Sequence, residues 1–130
     1  MLKHSISLAT VACLSICTSA YAQNNPAGLW QSIDDTTGKP RAEIRISESG
    51  GIFTGRIERS LLPTPAGALL LCTLCPDDRK DKPLIGLDII RNIKLSSDAQ
   101  AWDSGEILDP DKGKVFKLRL QLQDDGKKLQ

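Results

Sequence analysis

The chain is short of the side chains on which much enzyme chemistry depends. It has one histidine, His4, one tyrosine, Tyr21, and one methionine, Met1, among 130 residues. All three fall in an N-terminal stretch that reads as a removable leader, so the remaining chain is expected to have none of them. Without imidazole it supports neither a Ser-His-Asp nor a Cys-His mechanism, and it offers zinc or copper no imidazole ligand. Without methionine it has no thioether for a copper site. No catalytic residues, metal or cofactor are expected. Aromatics are scarce too, with two Trp and two Phe. No basic stripe interleaved with aromatics is visible, so nucleic acid is not an expected partner. An excess of either charge is also missing: 17 Lys and Arg stand against 16 Asp and Glu. Lys3 belongs to the leader, which leaves the rest balanced and gives no pull toward nucleic acid or an anionic membrane. No apolar run reaches the roughly 20 residues of a membrane span.

What is present begins with that leader. Lys3 and His4 make a positive start, Ile6 to Ile16 is apolar and small, and Ala20-Tyr21-Ala22 is a small-x-small cleavage site. This is the three-part pattern of a secretory signal peptide. Residues 1–22 are expected to be removed after Ala22, placing the protein in the periplasm or outside the cell. Cys13 sits mid-run and Cys17 follows the bulky Ile16, so neither suits a lipid anchor. Residues 23–130 are enough for one domain with one core.

Six strands can be read in that domain. Leu29 to Ile33 is the first. Ala42, Ile44 and Ile46 alternate with Glu43 and Arg45, a half-buried strand, and Glu48-Ser49-Gly50-Gly51 turns the chain back. In the returning strand, Ile52 to Glu58, Phe53 and Ile57 share a face with Gly55 between them, where a bend or close packing is expected. Ile85, Leu87 and Ile89 alternate within Leu84–Leu95, which favours a strand, although Ile85, Ile89 and Ile93 also fit helical spacing. Trp102 opens a strand running toward Ile107. Phe116, Leu118, Leu120 and Leu122 alternate with Lys117, Arg119, Gln121 and Gln123. Consecutive antiparallel strands without a helix indicate an all-β barrel or sandwich. Between them, residues 60–83 read as a long exposed loop, with four prolines, Cys72, Cys75 and the charge cluster Asp77 to Lys82. Loops of this length are uncommon and often functional.

Taken in order, Gly28-Leu29-Trp30, Gly38-Lys39-Pro40-Arg41-Ala42-Glu43-Ile44, the Gly51 and Gly55 pair, Cys72-Thr73-Leu74-Cys75, Pro83-Leu84-Ile85-Gly86-Leu87, Trp102 and the segment Gly105 to Lys114 resemble the bacterial secreted family known as domain of unknown function 2147. The resemblance implies a small antiparallel β-barrel of lipocalin (calycin-like) type with a ligand-binding role. It also implies that the strand pattern continues past Asp124-Asp125-Gly126 into closing strands that this sequence lacks. Four residues after the turn fall short of a typical strand of about 5–6. The barrel is therefore expected to be incomplete, with an open sheet edge through which the chain self-associates.

Three functions compete on these residues. The first is a module that binds a small hydrophobic ligand, since an eight-stranded barrel encloses room for side chains or one such molecule. Its candidate contacts are Trp30, Phe53, Trp102 and Phe116, with Trp30 equally readable as the plug of a closed barrel end. The second is an envelope interaction or inhibitor module acting through residues 60–83. The third is a thiol enzyme built on Cys72 and Cys75. Reactive Cys-x-x-Cys motifs sit at helix N-termini that lower the thiol pKa. Here Pro76, Asp77 and Asp78 follow, with no helical pattern. In an oxidising compartment a structural disulfide between Cys72 and Cys75 is the favoured reading.

Overall fold

The computed structural model describes residues 24–65, 67–124, 126 and 128–130. The leader and its cleavage after Ala22 lie outside the described residues. Six strands follow one another as an antiparallel meander: β1 (Gly28–Ile33), β2 (Pro40–Ser49), β3 (Ile52–Ser60), β4 (Asp88–Leu95), β5 (Trp102–Asp109) and β6 (Lys114–Leu120). The sheet curls into a half-barrel. A two-stranded hairpin, β7 (Leu122–Gln123) with β8 (Lys128–Leu129), stands beside it. The only helical turn among the described residues is a 3-10 turn at Asp77–Arg79.

Local chemistry accounts for the strands. In β2 the side chains of Ile44 and Ile46 are buried while Arg45 is exposed, and β3 buries Phe53, Gly55 and Ile57. Ser49 pairs with Ile52 across a two-residue turn. Both turn residues, Gly50 and Gly51, have positive φ, 57° and 82°, the conformation that matches the twist of a tight hairpin. Register shifts at Glu43/Ile44 in β2 and around Gly55 in β3 bend the sheet, as bulges do. At Gly55 a Cβ would lie 2.8 Å from the Ile90 side chain, so close packing is the reason for glycine there. Arg45 reaches Glu58 at 2.8 Å and Arg56 reaches Asp88 at 2.8 Å, stitching neighbouring strands on the solvent side. Inside, Ile93 and Leu108 are almost fully buried, and Phe53 meets Trp102 edge to face with ring centroids 6.4 Å apart.

The structure corrects three boundaries. Leu84–Leu87 is not strand: Gly86, at φ 89°, turns the chain, and β4 starts at Asp88. The alternating run at the C-terminal end divides after Leu120. Gln121 exchanges backbone hydrogen bonds with Gln130 at 2.7 and 2.9 Å, and Leu122 pairs with Leu129. Residues 128–130 thus do form a returning segment, short as it is. Residues 60–83 are not exposed throughout, because Cys72, Cys75 and Arg79 are buried and Leu71 bridges to Pro83.

β1 and β6 have strand neighbours on one side only, so a seam runs between them. Self-association through that edge finds no support. β6 carries Lys114, Lys117 and Arg119, and cations along an edge oppose pairing with another strand. No described helix is long and apolar enough to cross a membrane.

Candidate functional site

Two hollows adjoin the core of the half-barrel: one of about 990 Å³ beside β1 and the C-terminal hairpin, lined by Trp30, Ile46, Ile90, Leu120 and Leu129, and one at the open end under the loop. Phe53, Trp102, Ile90 and Ile93 belong to the buried core. Trp30 donates its indole Nε1–H to the Pro26 carbonyl at 2.7 Å, and Leu129 from the hairpin packs against the same core. At the open end lies a cavity of about 570 Å³. Its floor is aliphatic, formed by Ile44, Ile57, Ile89 and Leu108, and its roof comes from the loop residues Leu69, Leu70 and Leu84.

The roof is anchored in three ways. Cys72 and Cys75 form a disulfide with Cα atoms 5.3 Å apart. This knuckle lies on the β5–β6 turn, with Cys72 Sγ 3.8 Å from the Pro110 carbonyl oxygen. Gly113 in that turn has φ 64°, and a Cβ there would meet the Leu74 carbonyl at 2.0 Å. Only glycine allows this approach. Arg79 then pins the other side of the loop: Nη1 donates to the Asp88 carbonyl at 3.0 Å, and Nε and Nη2 donate to Asp77 at 3.0 and 2.8 Å. Next to it Asp78 receives Arg91 through two bonds of 3.0 Å.

Charge is confined to the rim. Arg41, Asp109 and Asp111 line the mouth together with Ser32, Ser60 and Thr64. The Arg41 guanidinium bonds to Asp111 and lies 4.0 Å from Asp34, an ion pair that reaches across the seam from β2 to the β5–β6 turn. The backbone N–H groups of Thr37 and Thr36 hold the Asp34 carboxyl below its ordinary pKa. Asp109 Oδ1 accepts the backbone N–H of Asp111 at 3.0 Å and of Lys112 at 3.4 Å, which fixes the turn.

Of the four aromatic residues expected to contact a ligand, only Phe116 lines this cavity, half exposed at its edge. Trp30 lines the other hollow, beside the C-terminal hairpin. Phe53 and Trp102 are packed against each other in the core. Sequence reasoning missed Arg41, Asp111 and the roof leucines. The run Leu69-Leu70-Leu71 inside a loop was the available signal, since three adjacent leucines are out of keeping with a solvated excursion. Among the described residues no cluster of three His, Cys, Asp or Glu is placed to hold a metal ion.

A family model described as "Uncharacterized protein conserved in bacteria (DUF2147)" matches residues 28–130. Among solved structures, protein HP1028 from the human pathogen Helicobacter pylori, described as belonging to the lipocalin family, is similar with a TM-score of 0.59 and 14% identity. The match covers 75% of this chain and 64% of that one, so this chain spans less than two thirds of the Helicobacter protein's length. At that identity the likeness is one of fold. No curated protein matches the chain.

Proposed function

The chain belongs to the bacterial family DUF2147, and from that premise we propose that it is an exported binding protein that holds a small apolar ligand in the cavity at the mouth of its half-barrel. The cavity itself carries the reading. Its volume of about 570 Å³ falls within the range of small-molecule sites, which pair apolar walls with a few polar groups. A lipocalin-like fold fits binding rather than catalysis.

Native mass spectrometry of protein taken from the cell envelope is expected to show a bound small molecule, and the chain is expected to begin at Gln23. An intact Met1 would overturn the export reading. Ala42 lines the cavity, and Ala42→Phe is expected to fill it and remove the bound mass while the fold persists. A second reading draws on Leu69 and Leu74, which are 73% and 61% exposed and give residues 60–83 an apolar surface for another envelope protein. It gains if wild-type and Ala42→Phe spectra are both free of ligand.

A further inference from the structure

We propose that the ligand of this cavity carries a cationic head on its apolar body, as an alkylamine or arylamine does, and that the protein discriminates against carboxylate-headed amphiphiles. The inference rests on the ligand-binding reading above and adds the charge of the guest to it.

The walls decide first where a head group can sit. The floor of Ile44, Ile57, Ile89 and Leu108 offers no side-chain donor or acceptor, and an unpaired polar group buried there would be strongly disfavoured. A polar head must therefore stay at the rim while the apolar body goes inward.

The rim then decides which charge is welcome. Among the described residues lining the cavity Arg41 is the only basic one, against Asp109 and Asp111, and its guanidinium is bonded through Nη2 to Asp111 and lies 4.0 Å from Asp34. A carboxylate head could reach Arg41 only alongside Asp111 and near Asp34, with Asp109 also lining the mouth, so repulsion from these carboxylates offsets what Arg41 offers it. Lys112 offers it little, because its ammonium lies outside the lining, 3.8 Å from Asp109 Oδ2. Ser32, Ser60 and Thr64 carry hydroxyls that both donate and accept, so they do not choose between heads.

An amine meets the opposite situation. Arg41 engages Asp111 through Oδ2; Oδ1 has no protein partner among the described residues. The Asp111 side chain is 61% exposed, and a carboxylate accepts about four hydrogen bonds. An ammonium can therefore bind Asp111 without breaking the Arg41 pair. Discrimination of this kind combines an attraction for one guest with a repulsion of the other.

Three probes that share one tail test this: decylamine, decanol and decanoate, each titrated calorimetrically into the purified chain below its micelle concentration. An exposed ion pair alters affinity by up to about fivefold, and here attraction and repulsion add. Decylamine is expected to bind about tenfold tighter than decanoate, with decanol between them. High salt should narrow that gap and leave decanol unchanged. Asp111→Asn removes the free carboxylate and releases Arg41. The turn survives, because Asp109 and not Asp111 holds its backbone. In that variant the order is expected to invert, with decanoate ahead of decylamine. Equal or tighter binding of decanoate by the wild-type chain would overturn the proposal and leave the ligand-binding reading standing, as would an unchanged order in Asp111→Asn. Failure of all three probes to bind would overturn both.

Discussion

Among the described residues Arg79 is the only charged side chain that is buried. Its planar fork makes this tolerable, because each edge finds an acceptor: two oxygens of Asp77 and the Asp88 carbonyl. Charge-assisted bonds of this kind are stronger than neutral ones. Arg79→Met is expected to lower stability by about 1–3 kcal/mol, read from the urea midpoint. Asp77 and Glu106 are partly exposed and can hydrate in the variant, so the larger penalty for stranding a buried charge does not apply. The hydrogen bond from Arg79 holds the Asp77 carboxyl well below the usual carboxylate range. An unfolded Asp titrates near about 4. The pair therefore stabilises the fold fully above that pH and loses its effect as pH falls below it. Between pH 7 and pH 3 the wild-type midpoint should drop further than that of Arg79→Met; equal drops would show that the pair contributes nothing. Sequence could not reveal this residue. In the cluster Asp77 to Lys82 it looks like its solvated neighbours, and its decisive partner, the Asp88 carbonyl, has no sequence signature.

At the scale of elements, legibility followed how local the cause was. Ile44 and Ile46 against Arg45, and Phe53 and Ile57 flanking Gly55, reported burial directly through their period of two. Leu84 to Leu87 alternates in the same way and yet is a turn. There Gly86 N–H donates to the Ile57 carbonyl at 2.7 Å, and Ile57 N–H donates to that of Leu87 at 3.0 Å, so the segment turns against the middle of β3 and β4 begins only at Asp88. The Cys72–Cys75 knuckle is the other element whose role depends on contacts distant in sequence. Its ring is short, and closing it is worth about 2 kcal/mol by chain entropy. Replacing both cysteines with Ala is expected to cost about that much globally. Locally the change should be larger: backbone amides of residues 71–84 should exchange hydrogen much faster, while those of β2 and β3 stay protected. Uniform acceleration across the sheet would show that the knuckle supports the whole core and not the loop alone.

For the whole molecule, the aromatic candidates show why the site was harder to read than the fold. A sequence with four aromatics invites placing all of them around one ligand, but Phe53 and Trp102 were needed to fill the interior and Trp30 lines a separate hollow beside the C-terminal hairpin. Only the meeting of loop and barrel shows that aliphatic residues form the pocket. The same view bears on assembly. Lys114, Lys117 and Arg119 along β6 would face their own copies if two edges paired, and like charges directly opposed destabilise a sheet. Sedimentation velocity is expected to show a monomer. Replacing Lys114 and Lys117 with Val should produce dimers or aggregates; a dimeric wild-type chain would contradict this account of the edge. The seam has one more effect. A closed ladder sets a barrel's girth through strand number and stagger. Here the circle is completed by an ion pair at one end, Arg41 with Asp111, and by a hairpin of two-residue strands at the other. β1 has a strand neighbour on the β2 side alone, so no strand ladder fixes the width of the seam. Under the binding role proposed above, a wall whose width no ladder fixes sorts guests coarsely by size and leaves the finer choice to the charges at its lip.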